Sequence, residues 1–322
     1  MPAVSDSAAA LRERIAPSVL ETIGGTPLVR LNRLPREAGC GAEILVKLES
    51  LNPAGSSKDR IARAMIKEAE AKGALTPDTV VIEASSGNTG VSLACVCAAK
   101  GYSLILVMPS SVSEQRRRLL RFFGAEVLLT PEEFGMRGAT ERADALASTL
   151  PNALRLDQFA DPANPRAHEE TTAEEIWCDC AGRLDAIVCA VGTGGTLTGI
   201  ARRLKPRAPQ LYAVAVEPAD SAVLSGALPG RHKIEGIGPG FVPKTLERAL
   251  IDEVIAVRNV TAFATARRLA RLEGIGASVS AGAALAAALE LGARPAMKGK
   301  RLVVLAAALA ERYISSELFH DL

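Results

Sequence analysis

Neither sign of charge dominates the chain: 38 Lys plus Arg stand against 36 Asp plus Glu, a formal balance of +2. That balance removes the electrostatic reason to expect nucleic acid or an anionic membrane as a partner. No apolar run approaches the ~20 residues that cross a bilayer, and the Ala-rich tract over 279–289 falls short. CxxC pairs are absent, and the three histidines, His168, His232 and His320, stand apart from the pairs Cys95/Cys97 and Cys178/Cys180. A zinc site therefore lacks ligands. A metal or redox clip at Cys178-Asp179-Cys180 gives way to cysteines serving as small apolar residues on helix faces. Cys40 and Cys189 complete a set of six in a 322-residue chain long enough to do without disulfide staples, which points to a reduced, cytoplasmic setting. Residues 1–14 have no apolar centre and carry Asp6 and Glu13, so they read as a disordered or helical lead-in and not as a secretory or transit signal.

What is present is a large apolar complement, 48% of residues, with 23% charged, over a length that accommodates two domains. Strand patterns fall at 42–48, 79–83, 103–108, 125–130, 185–191, 211–217 and 301–305. Helical patterns fall between them at 59–72, 89–100, 113–123, 138–150, 196–204, 261–272 and 281–291, with Gly101 and Gly124 as C-cap residues. Short apolar strands alternating with helices of this length imply βαβ units. The expected fold class is α/β, two domains with twisted, mostly parallel sheets flanked by helices. With no repeat and no long linker, the boundary falls in a short crossing, best at Asp161-Pro162-Ala163-Asn164-Pro165. The expected smaller, mobile domain is 61–160, and 1–60 joins 161–322 in the larger one.

Three strand-to-helix loops carry the chemistry, since ligands of open α/β sheets gather beyond the carboxyl ends of the strands. Gly192-Thr193-Gly194-Gly195-Thr196 offers exposed N–H groups, hydroxyls and a helix N-terminus, which suits a phosphate. It fits neither Walker A nor G-x-G-x-x-G, and a tight turn with no ligand is the plain alternative. Ala84-Ser85-Ser86-Gly87-Asn88-Thr89-Gly90 presents neutral donors at a helix start, which suits a carboxylate; alone, an N-cap with an Asx turn explains it. Asn52-Pro53-Ala54-Gly55-Ser56-Ser57-Lys58-Asp59-Arg60 sets one lysine at the positive end of a helix. That place is unfavourable for a cation and favours a lysine that must act as a nucleophile or base, although a solvated surface lysine is the plain alternative. Together the loops ask for a phosphate, a carboxylate and a reactive lysine. Pyridoxal 5'-phosphate, held as a Schiff base and handling an amino acid, meets all three.

These loops, with Gly236-Ile237-Gly238-Pro239-Gly240-Phe241-Val242-Pro243 and Glu311-Arg312-Tyr313-Ile314-Ser315, resemble the cysteine synthase (O-acetylserine sulfhydrylase) family of fold-type II pyridoxal-phosphate enzymes, which share the tryptophan synthase β-like fold. The resemblance runs from Leu20-Glu21-Thr22-Ile23-Gly24-Gly25-Thr26-Pro27-Leu28 to Phe319 and takes in Phe134-Gly135-Met136-Arg137-Gly138-Ala139 and His168-Glu169-Glu170-Thr171-Thr172. It implies that Lys58 carries the cofactor and moves the Cα proton, and that Asn88 contacts the cofactor's phenolic oxygen. It implies that Gly192, Thr193, Gly194, Gly195 and Thr196 cradle the phosphate and that Ser280 bonds the pyridine nitrogen. Ser85, Ser86, Asn88, Thr89 and Gln158 would hold the substrate carboxylate. The implied reaction converts O-acetyl-L-serine and sulfide to L-cysteine and acetate through an α-aminoacrylate. A homodimer and docking of the C-terminal tail of serine acetyltransferase are further implications.

Sister reactions remain as alternatives: cystathionine β-synthase, β-cyanoalanine synthase, an O-phosphoserine sulfhydrylase, or a weakly active or non-catalytic homologue that binds serine acetyltransferase. The absence of a haem segment and of a regulatory domain weighs against an animal-type cystathionine synthase. Departures from the family pattern occur at Ser57, at Ala84-Ser85, around Ser280 and at Ala307-Ala308-Leu309-Ala310, where the family has a Pro-Ser-x-Gly turn. Ala and Leu favour helix there and offer no capping oxygen.

Overall fold

The computed structural model describes residues 15–320, so the lead-in expected over 1–14 lies outside the described residues. The first half runs β1 (Leu28–Arg30), α1 (Arg33–Glu37), β2 (Glu43–Leu48), α2 (Lys58–Ala71), β3 (Val80–Ala84), α3 (Asn88–Lys100), β4 (Ser103–Pro109), α4 (Glu114–Phe122), β5 (Glu126–Thr130), α5 (Gly135–Thr149) and β6 (Ala153–Arg155). The second continues with α6 (Ala163–Ala167), α7 (Ala173–Asp179), β7 (Ala186–Ala190), α8 (Gly195–Leu204), β8 (Tyr212–Pro218), β9 (Glu253–Val257), α9 (Asn259–Glu273), α10 (Val279–Gly292) and β10 (Arg301–Ala306). Between α6 and α7 the chain does not break. A π-helical turn, His168–Thr172, joins them into one continuous rod.

The strands form two sheets, one of six strands in the order β1-β2-β10-β7-β8-β9 and one of four in the order β5-β4-β3-β6. Only the β1–β2 pair is antiparallel. The two-residue period of the buried strands explains how each sheet is covered on both faces. On β10, Leu302, Val304 and Ala306 join the cluster that contains α9 and α10, whereas Val303 and Leu305 pack with the residues of α8. In the smaller sheet Val81, Leu104 and Leu106 face α2 and α3, and Ile82 and Val107 face α5.

The mostly parallel α/β architecture is as the alternation predicts. Short elements are additions to it: β1 and β6 have three residues each, too few to show a period. The stretch 161–165, expected to hold the domain boundary, starts the helical rod. Pro165 sits within the first turn of α6, where a helix needs no N–H donor, so proline is accommodated. Leu309 is extended (φ −62°, ψ 144°) and leads into a short 3-10 helix, so residues 307–309 do not continue as helix. Among the described residues no helix is long and apolar enough to cross a membrane.

Candidate active site

The loop carrying Lys58, the start of α10 and the chain leaving β10 are sewn together by backbone bonds. Ser57 N–H donates to Ala307 O at 2.8 Å, Leu309 N–H to Gly55 O at 3.1 Å, and Ser278 N–H to Ala308 O at 3.0 Å. Residues 307–309 thus act as a strap whose partners are main-chain atoms. This is how Ala and Leu can stand where a Pro-Ser-x-Gly turn is expected.

The 192–196 loop follows β7 and opens α8, with Gly194 in the left-handed region at φ +81°. A methyl on Gly195 would lie 1.9 Å from Asn164 Oδ1, one on Gly192 2.5 Å from Gly236 O, and one on Gly194 2.6 Å from the Leu246 side chain. The backbone is therefore walled in by protein on its outer side. Among the described residues no acceptor meets the N–H groups of Gly192, Thr193, Gly194 and Thr196, and that of Gly195 has only Thr193 Oγ1 at 3.4 Å. Free N–H groups at a helix start are suited to an anion such as a phosphate.

Two buried side chains brace that loop. Asn164 Nδ2 donates to Thr193 Oγ1 at 2.9 Å and to Gln158 O at 2.7 Å. His168 lies between Thr172 Oγ1, 2.9 Å from Nδ1, and Thr196 Oγ1, 3.1 Å from Nε2. Burial first, and then the positive Arg60 and Lys58, hold the His168 pKa well below the usual imidazole value, so the ring is neutral. The neutral ring thus takes one hydroxyl on each nitrogen, donating to one and accepting from the other, and ties Thr196 to the rod that carries Thr172.

The 85–90 loop follows β3 and opens α3. Ser85 Oγ accepts from Gly87 N–H at 3.3 Å and from Gly90 N–H at 3.1 Å, and Thr89 Oγ1 donates to Gln158 Oε1 at 2.6 Å. Asn88 Nδ2 donates to the Tyr313 hydroxyl at 3.0 Å, which fixes the amide's orientation. Burial raises the Tyr313 pKa, so its hydroxyl stays neutral.

Lys58 opens α2 and is half-buried. Among the described residues its Nζ has no hydrogen-bond or ion-pair partner. Burial pushes its pKa down, opposed by the Glu49 carboxylate, so the amine is more readily neutral than an ordinary lysine. Beside it, Asp59 accepts from Ala54 N–H at 2.7 Å and from Ser92 Oγ at 2.5 Å, and burial pushes its pKa up to about 6. Behind α2, fully buried Lys47 and Arg60 pair with Glu49, Glu175 and Asp179 at 2.7–3.2 Å. Ser280, at the start of α10, is buried with its Oγ 2.9 Å from Ser278 Oγ. Ser278 Oγ also accepts from Ala281 N–H, so the pair of hydroxyls is anchored at the helix start, and Ser280 Oγ–H can serve a further acceptor when Ser278 is the donor between them.

Thr89, Gln158 and Thr193 are thus brought into one hydrogen-bonded chain through Asn164, a residue with no signal of its own in the sequence. Neither Lys58 Nζ nor Ser280 Oγ bonds directly to the other candidate residues. Tyr313 and His168 lie in motifs notable only for their resemblance, and their roles come from distant partners that no spacing reveals. Among the described residues no cluster of His, Cys, Asp or Glu could hold a metal ion.

An amine of lowered basicity that can condense with an aldehyde, free N–H groups for a phosphate and a neutral hydroxyl for a ring nitrogen define a class of enzyme. It is one that works through a phosphorylated pyridine aldehyde, and the residues present fit that group. A family model described as "Pyridoxal-phosphate dependent enzyme" matches residues 19–307, and the chain belongs to this family. Cysteine synthase A of Escherichia coli strain K12 is 48% identical over 310 residues, 94% of each chain. Cysteine synthase 3 of Caenorhabditis elegans is 45% identical over 311 residues, 96% of this chain and 92% of that one. Among solved structures, a cysteine synthase from Entamoeba histolytica has a TM-score of 0.93 at 39% identity, covering 99% of this chain and 94% of its own. An O-ureido-L-serine synthase gives 0.91 at 44% identity, with 96% of each chain covered.

Proposed function

We propose that this pyridoxal-phosphate enzyme is an O-acetylserine sulfhydrylase, which replaces the acetate of O-acetyl-L-serine by sulfide to give L-cysteine. The observation that carries the reading is the partner available to a ring nitrogen: the buried Ser280 hydroxyl, a neutral donor in place of a carboxylate. A neutral partner leaves the ring less electron-withdrawing and suits loss of a β-substituent over transamination. The relatives named cysteine synthase, at 45–48% identity over more than nine-tenths of the chain, support the same substrate pair.

When bound, pyridoxal phosphate supplies the electron sink that stabilises charge at the substrate's Cα. Lys58 Nζ, with its lowered basicity, takes the Cα proton and returns it once the new bond at Cβ exists. The donors of residues 85–90 hold the substrate carboxylate, with Gln158 steadying Thr89 and Tyr313 steadying Asn88. The 192–196 loop would hold the cofactor's phosphate and the Ser280 hydroxyl its ring nitrogen, with Lys58 between them in reach of the aldehyde carbon. The four-stranded sheet, within the smaller domain 61–160, would close over the bound amino acid and exclude water. The same reading includes a cytoplasmic homodimer that accepts the serine acetyltransferase tail, to be tested by sedimentation with and without that peptide.

The test is the visible spectrum of the holoenzyme before and after O-acetylserine is added without sulfide, followed by cysteine formation when sulfide is supplied. A shift to longer wavelength and then cysteine is expected, and the Lys58→Ala variant should turn over at least about 10³-fold more slowly. An unshifted spectrum with O-acetylserine and a shift with O-phosphoserine would replace the proposed substrate.

A further inference from the structure

Arg116, on α4, belongs to a run, Arg116-Arg117-Arg118, that reads as a solvated basic face. Arg117 and Arg118 do pair locally with Glu114 at 3.2 and 3.1 Å, and the Arg118 side chain is 78% exposed. Arg116 turns the other way and is 15% exposed. Its Nη1 donates to Ser86 O at 2.7 Å and its Nη2 to Arg312 O at 3.1 Å, while Glu235 Oε2 lies 3.4 and 3.5 Å from the two nitrogens. The guanidinium carbon is 6.0 Å from the centroid of the Tyr313 ring, whose hydroxyl holds Asn88. Arg312 in turn donates to Ala54 O at 2.7 Å, and Ala54 N–H is held by Asp59, the neighbour of Lys58.

We propose that Arg116 is the positioning residue for the substrate's carboxylate, acting through the Ser86–Gly87 peptide. The inference rests on the reading that residues 85–90 bind that carboxylate. Ser86 C=O and Gly87 N–H belong to one peptide group. A cation bonded to the carbonyl polarises the group and strengthens its N–H as a donor on the opposite side. Gly87 N–H is weakly engaged, 3.3 Å from Ser85 Oγ, and so is available to a ligand. Every donor of the loop itself is neutral. Arg116 adds the missing positive charge one peptide away, without a side chain that would fill the space of the amino acid. Because the same guanidinium holds Arg312 O, the loop's position is also referred to the strap beside Lys58.

The test compares wild type, Arg116→Ala, Arg116→Lys and the surface control Arg118→Ala as holoenzymes. Arg116→Ala is expected to raise KM for O-acetylserine about 10- to 100-fold, the loss associated with hydrogen bonds to a charged group. KM for sulfide and cofactor content should stay unchanged, Arg116→Lys should fall between, and Arg118→Ala should match wild type. Added guanidine should lower the raised KM of Arg116→Ala, a response that a merely structural role would not give. A KM within about twofold of wild type, or a fall in kcat and cofactor content at constant KM, overturns the proposal. Should wild type leave O-acetylserine unreacted, the proposed reaction fails, and the role of Arg116 is still decided by the affinity of each variant for L-cysteine, read from the cofactor's visible spectrum.

Discussion

The two loops that open α8 and α3 share a plan, strand to glycine-containing turn to helix, and differ in how the surrounding protein treats them. Around 192–196 every glycine backbone is pressed against another chain segment, and the strand that feeds the loop, β7, is wholly apolar. Around 85–90 only Gly90 is enclosed, by Leu106 and Ser85; a methyl on Gly87 would meet nothing within 4 Å, Ser86 and Asn88 are half-buried, and the Gly87 N–H to Ser85 Oγ bond is long at 3.3 Å. The feeding strand, β3, carries a buried carboxyl, Glu83, one residue before its end. On the proposed reading the contrast has a use: a cofactor that stays through every cycle calls for a finished seat, and a substrate that enters and leaves calls for a loop with room to rearrange, which Arg116 and Gln158 would hold from outside.

The strongest way to break this contrast is Gly195→Ala. With a methyl 1.9 Å from Asn164 Oδ1, it should cost about 3 kcal/mol or more by overpacking and leave the protein largely without cofactor, measured by absorbance stoichiometry and thermal unfolding.

Glu83 comes next. Burial pushes its pKa up to about 8, against the pull of Arg155 at 2.9 Å. The native state therefore keeps a proton that the unfolded chain has lost above its ordinary value of 4.5. Stability should fall as pH rises from 4.5 through 8 and level off above, at up to about 1.4 kcal/mol per pH unit. Glu83→Gln should flatten that slope in a Tm series taken from pH 5 to pH 9.

Thr89→Val removes the 2.6 Å bond to Gln158. It should raise KM for O-acetylserine by about tenfold, with cofactor content unchanged, in steady-state kinetics on the holoenzyme. Gly87→Ala is the smallest effect. Its φ of −117° suits any residue, so thermal unfolding should place its stability within about 0.5 kcal/mol of wild type. A large loss would mean that the 85–90 loop is as tightly enclosed as the 192–196 loop.

The repeating strand–helix rhythm makes the parallel sheets legible, because strands covered on both faces are continuous apolar runs. Lys58 and the two loops stand out as candidates because glycine, hydroxyl and lysine at a helix start have few other uses in combination, and the strand-to-helix placement expected of each loop is the one observed. Tyr313, His168, Asn164 and Arg116 are not, since each acts on a partner remote in sequence: Asn88 is 225 residues from Tyr313. The strap at 307–309 escapes a sequence reading for a related reason. Its hydrogen bonds are all made by backbone atoms, and a sequence records side chains. The helix that begins at Ala163 is not legible at all, because composition does not say whether prolines such as Pro162 and Pro165 lie in a first turn, where they are harmless, or in a helix interior, where they are not.

The π-helical turn at His168–Thr172 has a consequence for how this chain could change over time. A π turn is an α-helix that has absorbed an extra residue, and each added residue rotates the remainder of the helix by about 100°. The rod from Ala163 to Asp179 therefore works in two phases, one aiming Asn164 at the phosphate loop and the other aiming Glu175 and Asp179 at Lys47 and Arg60. Losing a single residue from the turn would make a more regular helix. It would also swing Glu175 away from two buried cations, a loss of about 3–5 kcal/mol, so a deletion there, unlike one in a surface loop, has no small effect.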